Sequence, residues 1–499
     1  MIQIIHTYSC SFNFQPIPDN VFIIASCNPH RADSLAIYDK AFSGGWVKGT
    51  YYVHRLHPTL NQLIWDYGSL NVEQEKQYVS VKMQMLNSQL QSHDLDALNE
   101  LIVESQKKMR AYSKTHIQRV HKLSLQEAQL RSRSCVSQRD IQRVFTFYSW
   151  LMKFYHKYNP HNDTDELYHR RAVMVALGLV YYMRLDSEYR KDYCKFLNNA
   201  SKLEGEINFS KAYEGELQWF IEQLELPRGT AQTTALKENV FAIIACTMTR
   251  TPLIIVGDPG TSKTLSFNVV TANLKGAESK IEIFRDKDIY KLLDAHFYQC
   301  SRRTTSNELE KVFSRAVSRQ TYLEKVPLPV YSVVLMDEAG LPAEDDMESL
   351  KVLHYHLDQP KVSFVAISNH ILDAAKTNRA VSLFRPKASH KELCDLVQVS
   401  IGLQSEQPSD KSKKLVSALV RAYEEIQNVK KNKEEDLDFN RLFGLRDFIF
   451  FVTYLRRKTK DVGMPLDMQI IVEGLERNFN GTRHFAKLCR VFLSQVSQW

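Results

Sequence analysis

The stretch Gly257-Asp258-Pro259-Gly260-Thr261-Ser262-Lys263-Thr264 decides the fold of this 499-residue chain. It follows the apolar run 253–256, Leu-Ile-Ile-Val, which reads as a buried strand. It precedes Leu265-Ser266-Phe267-Asn268-Val269-Val270, which can open a helix. Strand, glycine-bearing loop, Lys-Thr and helix form the context of a phosphate-binding loop. Backbone N–H groups of such a loop and of the helix N-terminus point at phosphate oxygens. Lys263 is placed to reach the β- and γ-phosphates, and the Thr264 hydroxyl to ligate Mg²⁺. Ser262 stands where the usual pattern has its second glycine, and the loop accepts a serine there if its φ is negative. The competing reading is a surface turn rich in Gly and Pro.

A second segment favours the phosphate reading. Residues 332–336, Ser-Val-Val-Leu-Met, suit a central parallel strand and end in Asp337-Glu338. An acid at the tip of a strand beside the loop holds Mg²⁺, and the next acid polarises the attacking water. The spacing between Lys263 and Asp337 leaves room for one further βα unit and a strand. A third run, 362–368, ends at Asn369. If its strand lies between the other two, Asn369 can orient the lytic water. These residues predict an α/β fold, a parallel sheet flanked by helices, built to bind ATP with Mg²⁺.

The motifs resemble those of AAA+ ATPases. In that resemblance Asn369 is a sensor, and an arginine after it acts as a finger on the nucleotide of a neighbouring module. Arg379 is the first candidate and Arg385 its competitor, and for Arg379 the plain alternative is a surface cation at a helix end. More narrowly, the chain is similar to the mysterin family of giant ring-finger ubiquitin ligases with dynein-like AAA+ cores. The residues that carry this are Ala235 to Val240, the Ser-Lys-Thr variant of the loop, and Met336-Asp337-Glu338-Ala339-Gly340-Leu341. Ile367-Ser368-Asn369, Lys376-Thr377-Asn378-Arg379 and Phe443-Gly444-Leu445-Arg446-Asp447-Phe448 complete the set. The resemblance covers nearly the whole chain and points to the third AAA module.

The N-terminal part extends it. Residues 20–31 read as a strand ending in a sensor Asn28, and 52–58 as the last strand of a core. Ser137-Gln138-Arg139-Asp140-Ile141 parallels Gly444-Leu445-Arg446-Asp447-Phe448, a weak internal repeat about one module apart. The pair implies two helical lids. Arg446 would reach the γ-phosphate as a second sensor, and Arg139 would do so for the preceding module; the alternative for each is a helix-start salt bridge. No phosphate loop and no acid-tipped strand precede Asn28. The chain therefore reads as a fragment, a truncated gene product or a degenerate protein. The expected domains are 1–57 as the remnant of a first core, 58–225 as its lid and connector, 226–386 as the ATPase core, and 387–499 as the second lid.

Composition bounds the partners. The net charge of +8 is modest for this length. Aromatic interleaving is sparse among the basic residues Lys107, Lys108, Arg110, Lys114, Arg119, Lys122, Arg131 and Arg133, which favours a solvated helix face or module interface over a nucleic-acid patch. The eight cysteines include no C-x-x-C pair, so no zinc ring is encoded here and ubiquitin transfer cannot be assigned to this chain. Cys300 is expected at the end of a core strand. The apolar run 172–183 is too short to span a bilayer and reads as a buried helix. Residues 156–165 read as a linker, with two His too sparsely accompanied for a metal site, and 430–436 as an exposed loop. The resemblance implies a cytoplasmic protein whose partners are neighbouring AAA modules of the same polypeptide, with ubiquitin-system proteins met through domains not in this chain.

Overall fold

The computed structural model describes residues 11, 12, 15, 16, 65, 70–86, 92–118, 136–200, 208–326, 328–342, 348–370, 372, 374–402, 410–431, 443–461, 467–481 and 485–496. The expected strands at 20–31 and 52–58, with Asn28, lie outside these residues, as does most of 430–436. The chain divides into two compact units. The first is Met1–Cys135 with Asp373–Ala375; the second is Val136–Leu372 with Lys376–Trp499. The boundary at 135/136 falls inside the segment 58–225.

In the first unit, strands β1 (Ser11–Phe12) and β2 (Gln15–Pro16) pair antiparallel. Helices α1 (Val72–Leu86) and α2 (Ser92–Gln118) pack together. Arg110 of α2 reaches the buried Glu75 of α1 through two nitrogens, at 2.8 and 2.6 Å. Lys107 pairs with Glu104 one turn away. Arg110 thus joins the helix pair, while Arg119, Lys122, Arg131 and Arg133 lie outside the described residues.

The second unit opens with four helices: α3 (Gln138–Tyr158), α4 (Asp165–Val180), α5 (Ser187–Ala200) and α6 (Phe209–Glu222). The apolar run 172–183 occupies α4 and the 3₁₀ turn after it and is buried apart from the half-exposed Tyr182. A Cβ at Gly178 would lie 2.5 Å from the Tyr213 ring, so glycine is what lets α4 approach α6. Among the described residues no helix is long and apolar enough to cross a membrane. The linker expected at 156–165 is shorter, because α3 continues through Tyr158. Asn159 then ends it in the left-handed region, φ 40°, its N–H donating to the Tyr155 carbonyl.

The core follows. Helix α7 (Thr234–Met248) leads into β3 (Leu253–Val256), the loop and α8 (Lys263–Asn273). Then come β4 (Leu292–Gln299), α9 (Ser306–Lys325), β5 (Val330–Asp337), α10 (Leu353–Asp358), β6 (Ser363–Ser368) and β7 (Val381–Phe384). The sheet is parallel, in the order β4-β5-β6-β3-β7. The apolar runs read from the sequence are β3, β5 and β6, and β6 does lie between the other two. In register, Val256 stands beside Ser368 and Phe384, and Met336 beside Ala366. The C-terminal ends of β3, β5 and β6 therefore share one edge of the sheet, where doubly wound sheets bind ligands. Helix α7 packs on β3, β6 and β7, and α9 on β4 and β5. Both faces of the sheet are thus covered, which explains its unbroken apolar strands. The strand before Cys300 is an edge strand rather than a core strand. Its side chains alternate in exposure and Phe297 is 58% exposed, although Cys300 itself is buried.

The last five helices, α11 (His390–Ser400), α12 (Asp410–Lys431), α13 (Leu445–Arg456), α14 (Met468–Phe479) and α15 (Phe485–Val496), enclose an apolar core of their own. Phe443, Phe448, Phe451 and Phe492 are central to it, each fully buried.

Candidate functional site

The loop between β3 and α8 is held from three sides. The Thr261 hydroxyl donates to the Asp258 carbonyl at 2.8 Å. From α7, the Asn239 amide donates to the Thr261 carbonyl at 3.0 Å. A Cβ on Gly257 would lie 2.4 Å from the Arg385 Cβ, so only glycine fits there. Asp258 and Pro259 are exposed at the loop tip. Ser262 caps α8 with φ 56° and ψ 21°. The expectation of a negative φ is therefore wrong. The second-glycine position keeps the left-handed backbone that glycine normally supplies, and the serine bears a strain of about 1–2 kcal/mol.

Lys263 is buried, and its three ammonium protons meet three close acceptors. These are the carbonyls of Gly257 (2.6 Å) and Asp258 (3.0 Å) and the Asn369 Oδ1 (3.0 Å). Burial pulls its pKa down to about 8 against the opposing pull of Glu338, Asp258 and Asp337, with Arg446 adding to the depression. Asn369 faces two ways. Its amide nitrogen lies 3.0 and 2.9 Å from the two Glu338 oxygens. One side chain therefore joins the loop lysine to the acid after β5. Glu338 itself has φ 53°, and its N–H donates to Asp337 Oδ1 at 2.8 Å. That left-handed turn aims its carboxylate back across the strand ends. The turn is close-packed, since a Cβ on Gly340 would lie 2.4 Å from the Ser368 hydroxyl. Strain of this kind collects at functional sites.

The Thr264 hydroxyl faces Asp337 Oδ2 at 3.4 Å. A hydroxyl and a carboxylate oxygen side by side are a donor set for a hard cation such as Mg²⁺. The loop amides at the start of α8, Lys263 and this oxygen pair fit a magnesium nucleotide. Gly260, φ 93°, lies against the first turn of α13, where the backbone nitrogen of Arg446 comes within 3.3 Å of its would-be Cβ. Arg446 is exposed and has no ion pair or hydrogen bond among the described residues.

The other arginines lie elsewhere. Arg379 Nε is 2.8 Å from Asp358 Oδ2, and Arg139 Nη2 is 3.3 Å from Oδ1 of the same carboxylate. Asp358 ends α10, where a negative charge opposes the helix dipole, and the two guanidinium groups offset that cost. The two residues that the resemblance assigns to the preceding module's nucleotide thus converge on one acid. Arg385, the competitor for the finger, is 4% exposed and paired with Glu238, so it cannot reach another module. The internal repeat has a structural counterpart. Asp140 Oδ2 accepts from the Ser137 N–H at 2.8 Å, and Asp447 Oδ2 from the Gly444 N–H at 2.9 Å, the same cap at both helix starts.

Residues 229–392 match the family model described as the RNF213 AAA domain. These residues form an AAA domain of the RNF213 type. Over 539 residues the chain is 28% identical to E3 ubiquitin-protein ligase RNF213 of Homo sapiens, covering 97% of this chain and 10% of that protein. To E3 ubiquitin-protein ligase rnf213-beta of Danio rerio it is 28% identical over 505 residues, 92% of this chain and 9% of the relative. The chain thus spans about a tenth of the length of these relatives. Among solved structures, C. elegans PCH-2 aligns with a TM-score of 0.30 at 13% identity, covering 57% of this chain and 72% of that one.

In this RNF213-type domain two residues hold the loop in roles that the sequence does not assign them: Asn239 lies in the motif 235–240, and Arg385 is weighed there only as a finger. Asn239 ties α7 to the loop, and its signal was a polar residue inside an apolar helical run. Arg385 closes the space beside Gly257, and no local pattern announces it.

Proposed function

We propose that this chain binds Mg·ATP at the loop 257–264 and hydrolyses it, as one AAA+ module of a larger mysterin-type ubiquitin ligase whose transferase domain is not in this sequence. The core is 226–386 and its lid 387–499, with 1–57 and 58–225 as the end and lid of a preceding module. The observation that carries this reading is the Asn369 side chain, which bridges Lys263 and Glu338.

Lys263 is pre-positioned by its own loop carbonyls, so a phosphate oxygen need replace only one acceptor to be bound. Thr264 and Asp337 hold the cation, and Arg446 closes the site from the lid. Bound magnesium nucleotide supplies the electrophilic terminal phosphate and the divalent charge that offsets its anionic oxygens. Glu338 then accepts a proton from the attacking water at a carboxylate oxygen, with the Asn369 amide orienting that water. Closure of the lid on the core is the motion such a site would drive.

A second reading has one observation in its favour. Both Glu338 oxygens are already engaged by Asn369, which suits a module that holds ATP and turns it over negligibly. Two variants separate the readings. Lys263→Ala should abolish the thermal shift induced by Mg·ATP. Glu338→Gln should keep that shift and lose phosphate release by about 100-fold or more. Equal shifts in parent and Lys263→Ala sink the nucleotide site. A parent that binds but releases no phosphate favours the holding module.

A further inference from the structure

A buried charge cluster lies directly behind the phosphate loop. Glu238 of α7 is 1% exposed, and the guanidinium groups of Arg190 and Arg385 flank it. Arg190 Nη1 lies 3.1 Å from both carboxylate oxygens, Arg385 Nη2 pairs with Oε2, and the Tyr213 hydroxyl donates to Oε1 at 3.2 Å. Burial alone would raise the Glu238 carboxyl, but the two guanidinium groups outweigh it and hold it below its ordinary value. Burying three charges carries a large desolvation cost, which an apolar core of the same volume would avoid. A structural filler is therefore a poor account of the cluster.

Both ends of the cluster have a destination. On one side, Arg385 donates its backbone N–H to Val256 at 2.7 Å, and its side chain fills the space that a Cβ on Gly257 would need. The residue after Glu238, Asn239, holds the Thr261 carbonyl. One turn of α7 thus grips both ends of the phosphate loop. On the other side, Arg190 belongs to α5. Its remaining donors reach the carbonyls of Leu185 (2.8 Å), Met183 (2.9 Å) and Phe384 (3.1 Å). A shift of α5 must therefore move the partner of Glu238, and a shift of Glu238 must move Arg385 against Gly257.

We propose that Arg385 is a positioning residue for the phosphate loop, and that Glu238 couples nucleotide binding at Lys263 to helix α5 through Arg190. The inference rests on the reading of Lys263 as a phosphate ligand. By linkage the coupling is reciprocal: nucleotide steadies α5, and loosening α5 weakens nucleotide binding. The lid that precedes this core thereby senses whether the site is filled.

The test uses the 499-residue chain and Mg·ATP. Hydrogen exchange over residues 187–200 is compared with and without nucleotide, alongside calorimetric Kd values for the parent, Arg190→Met and Arg385→Lys. Nucleotide should slow exchange in 187–200 in the parent. Arg190→Met, although it touches no loop residue, should weaken the Kd by about 5-fold or more and abolish that slowing. Arg385→Lys, which keeps the charge but loses the fork, should weaken the Kd with α5 protection reduced. A role in stability alone would lower Tm and leave the Kd unchanged. Unchanged exchange in the parent overturns the proposal without any variant, and so does a parental Kd in Arg190→Met. A parent that binds no Mg·ATP overturns both this coupling and the nucleotide reading beneath it.

Discussion

The backbone nitrogen of Arg446 lies 3.3 Å from the point at which Gly260 would carry a Cβ atom. Helix α13 therefore rests on the loop 257–264 itself, at the residue whose φ of 93° already requires glycine. Gly260→Ala combines backbone strain with a push on the first turn of α13. It should cost about 1–3 kcal/mol of stability in denaturant unfolding. It should also weaken Mg·ATP binding, because the displaced turn carries Arg446. Parental stability in that variant would mean that α13 does not rest on the loop.

Ser262 gives the opposite case. Its φ of 56° is a strain that glycine would not feel. Ser262→Gly should raise stability by about 1 kcal/mol, visible as a higher Tm, with nucleotide affinity unchanged. The binding groups at this position are backbone amides, which the exchange leaves alone. A loss of stability would show that the serine hydroxyl contributes more than its backbone costs.

The depressed pKa of Lys263, about 8 against an ordinary 10.5, sets a pH dependence with a definite sign. A bound phosphate favours the ammonium form and raises that pKa in the complex. Affinity for Mg·ATP should be flat below about pH 8 and fall above it, by up to about tenfold per pH unit. Calorimetry between about pH 7 and 9 checks this. Stability of the empty chain runs the other way. The cost of burying a charged Lys263 is fully present below its folded pKa and disappears as the pH rises from there toward the unfolded value. An affinity that does not change over this range would show that the lysine stays charged throughout.

Arg379 and Arg446 should behave oppositely. Arg379 is tied to Asp358, away from Lys263, so Arg379→Ala should leave ATP affinity and basal turnover of this chain nearly unchanged. The half-exposed ion pair it loses is worth under about 1 kcal/mol. Arg446→Ala removes the lid cation beside the loop and should weaken binding or slow phosphate release. A steady-state assay of both variants decides the matter. A tenfold loss with Arg379→Ala and none with Arg446→Ala would reverse the two roles.

The sheet was legible because parallel strands buried on both faces must be apolar along their whole length, as 253–256, 332–336 and 362–368 are. Lys263, Thr264, Asp337 and Glu338 were legible because each follows such a strand at a fixed offset. The left-handed backbone of Ser262 is not legible in its residue type, since the loop dictates its φ more strongly than the residue type does. The end of α3 is likewise not legible from its own residues. His156, Lys157 and Tyr158 look like loop residues alone, yet Tyr158 and Lys157 are held by Asp286 across 128 and 129 positions.

By itself the sequence determined the core strands at 253–256, 332–336 and 362–368, the place of the loop between strand and helix, and the repeated Arg-Asp helix starts, because these depend on neighbours within a few positions. Tertiary structure alone decided which charges meet. Glu238 finds Arg385 147 residues away, and Asp358 gathers Arg139 and Arg379. Those meetings depend on the strand order, which places β7 beside β3 and β6 between β3 and β5. That order is set by how the helices pack across the sheet, so no local pattern records which buried guanidinium will face which carboxylate.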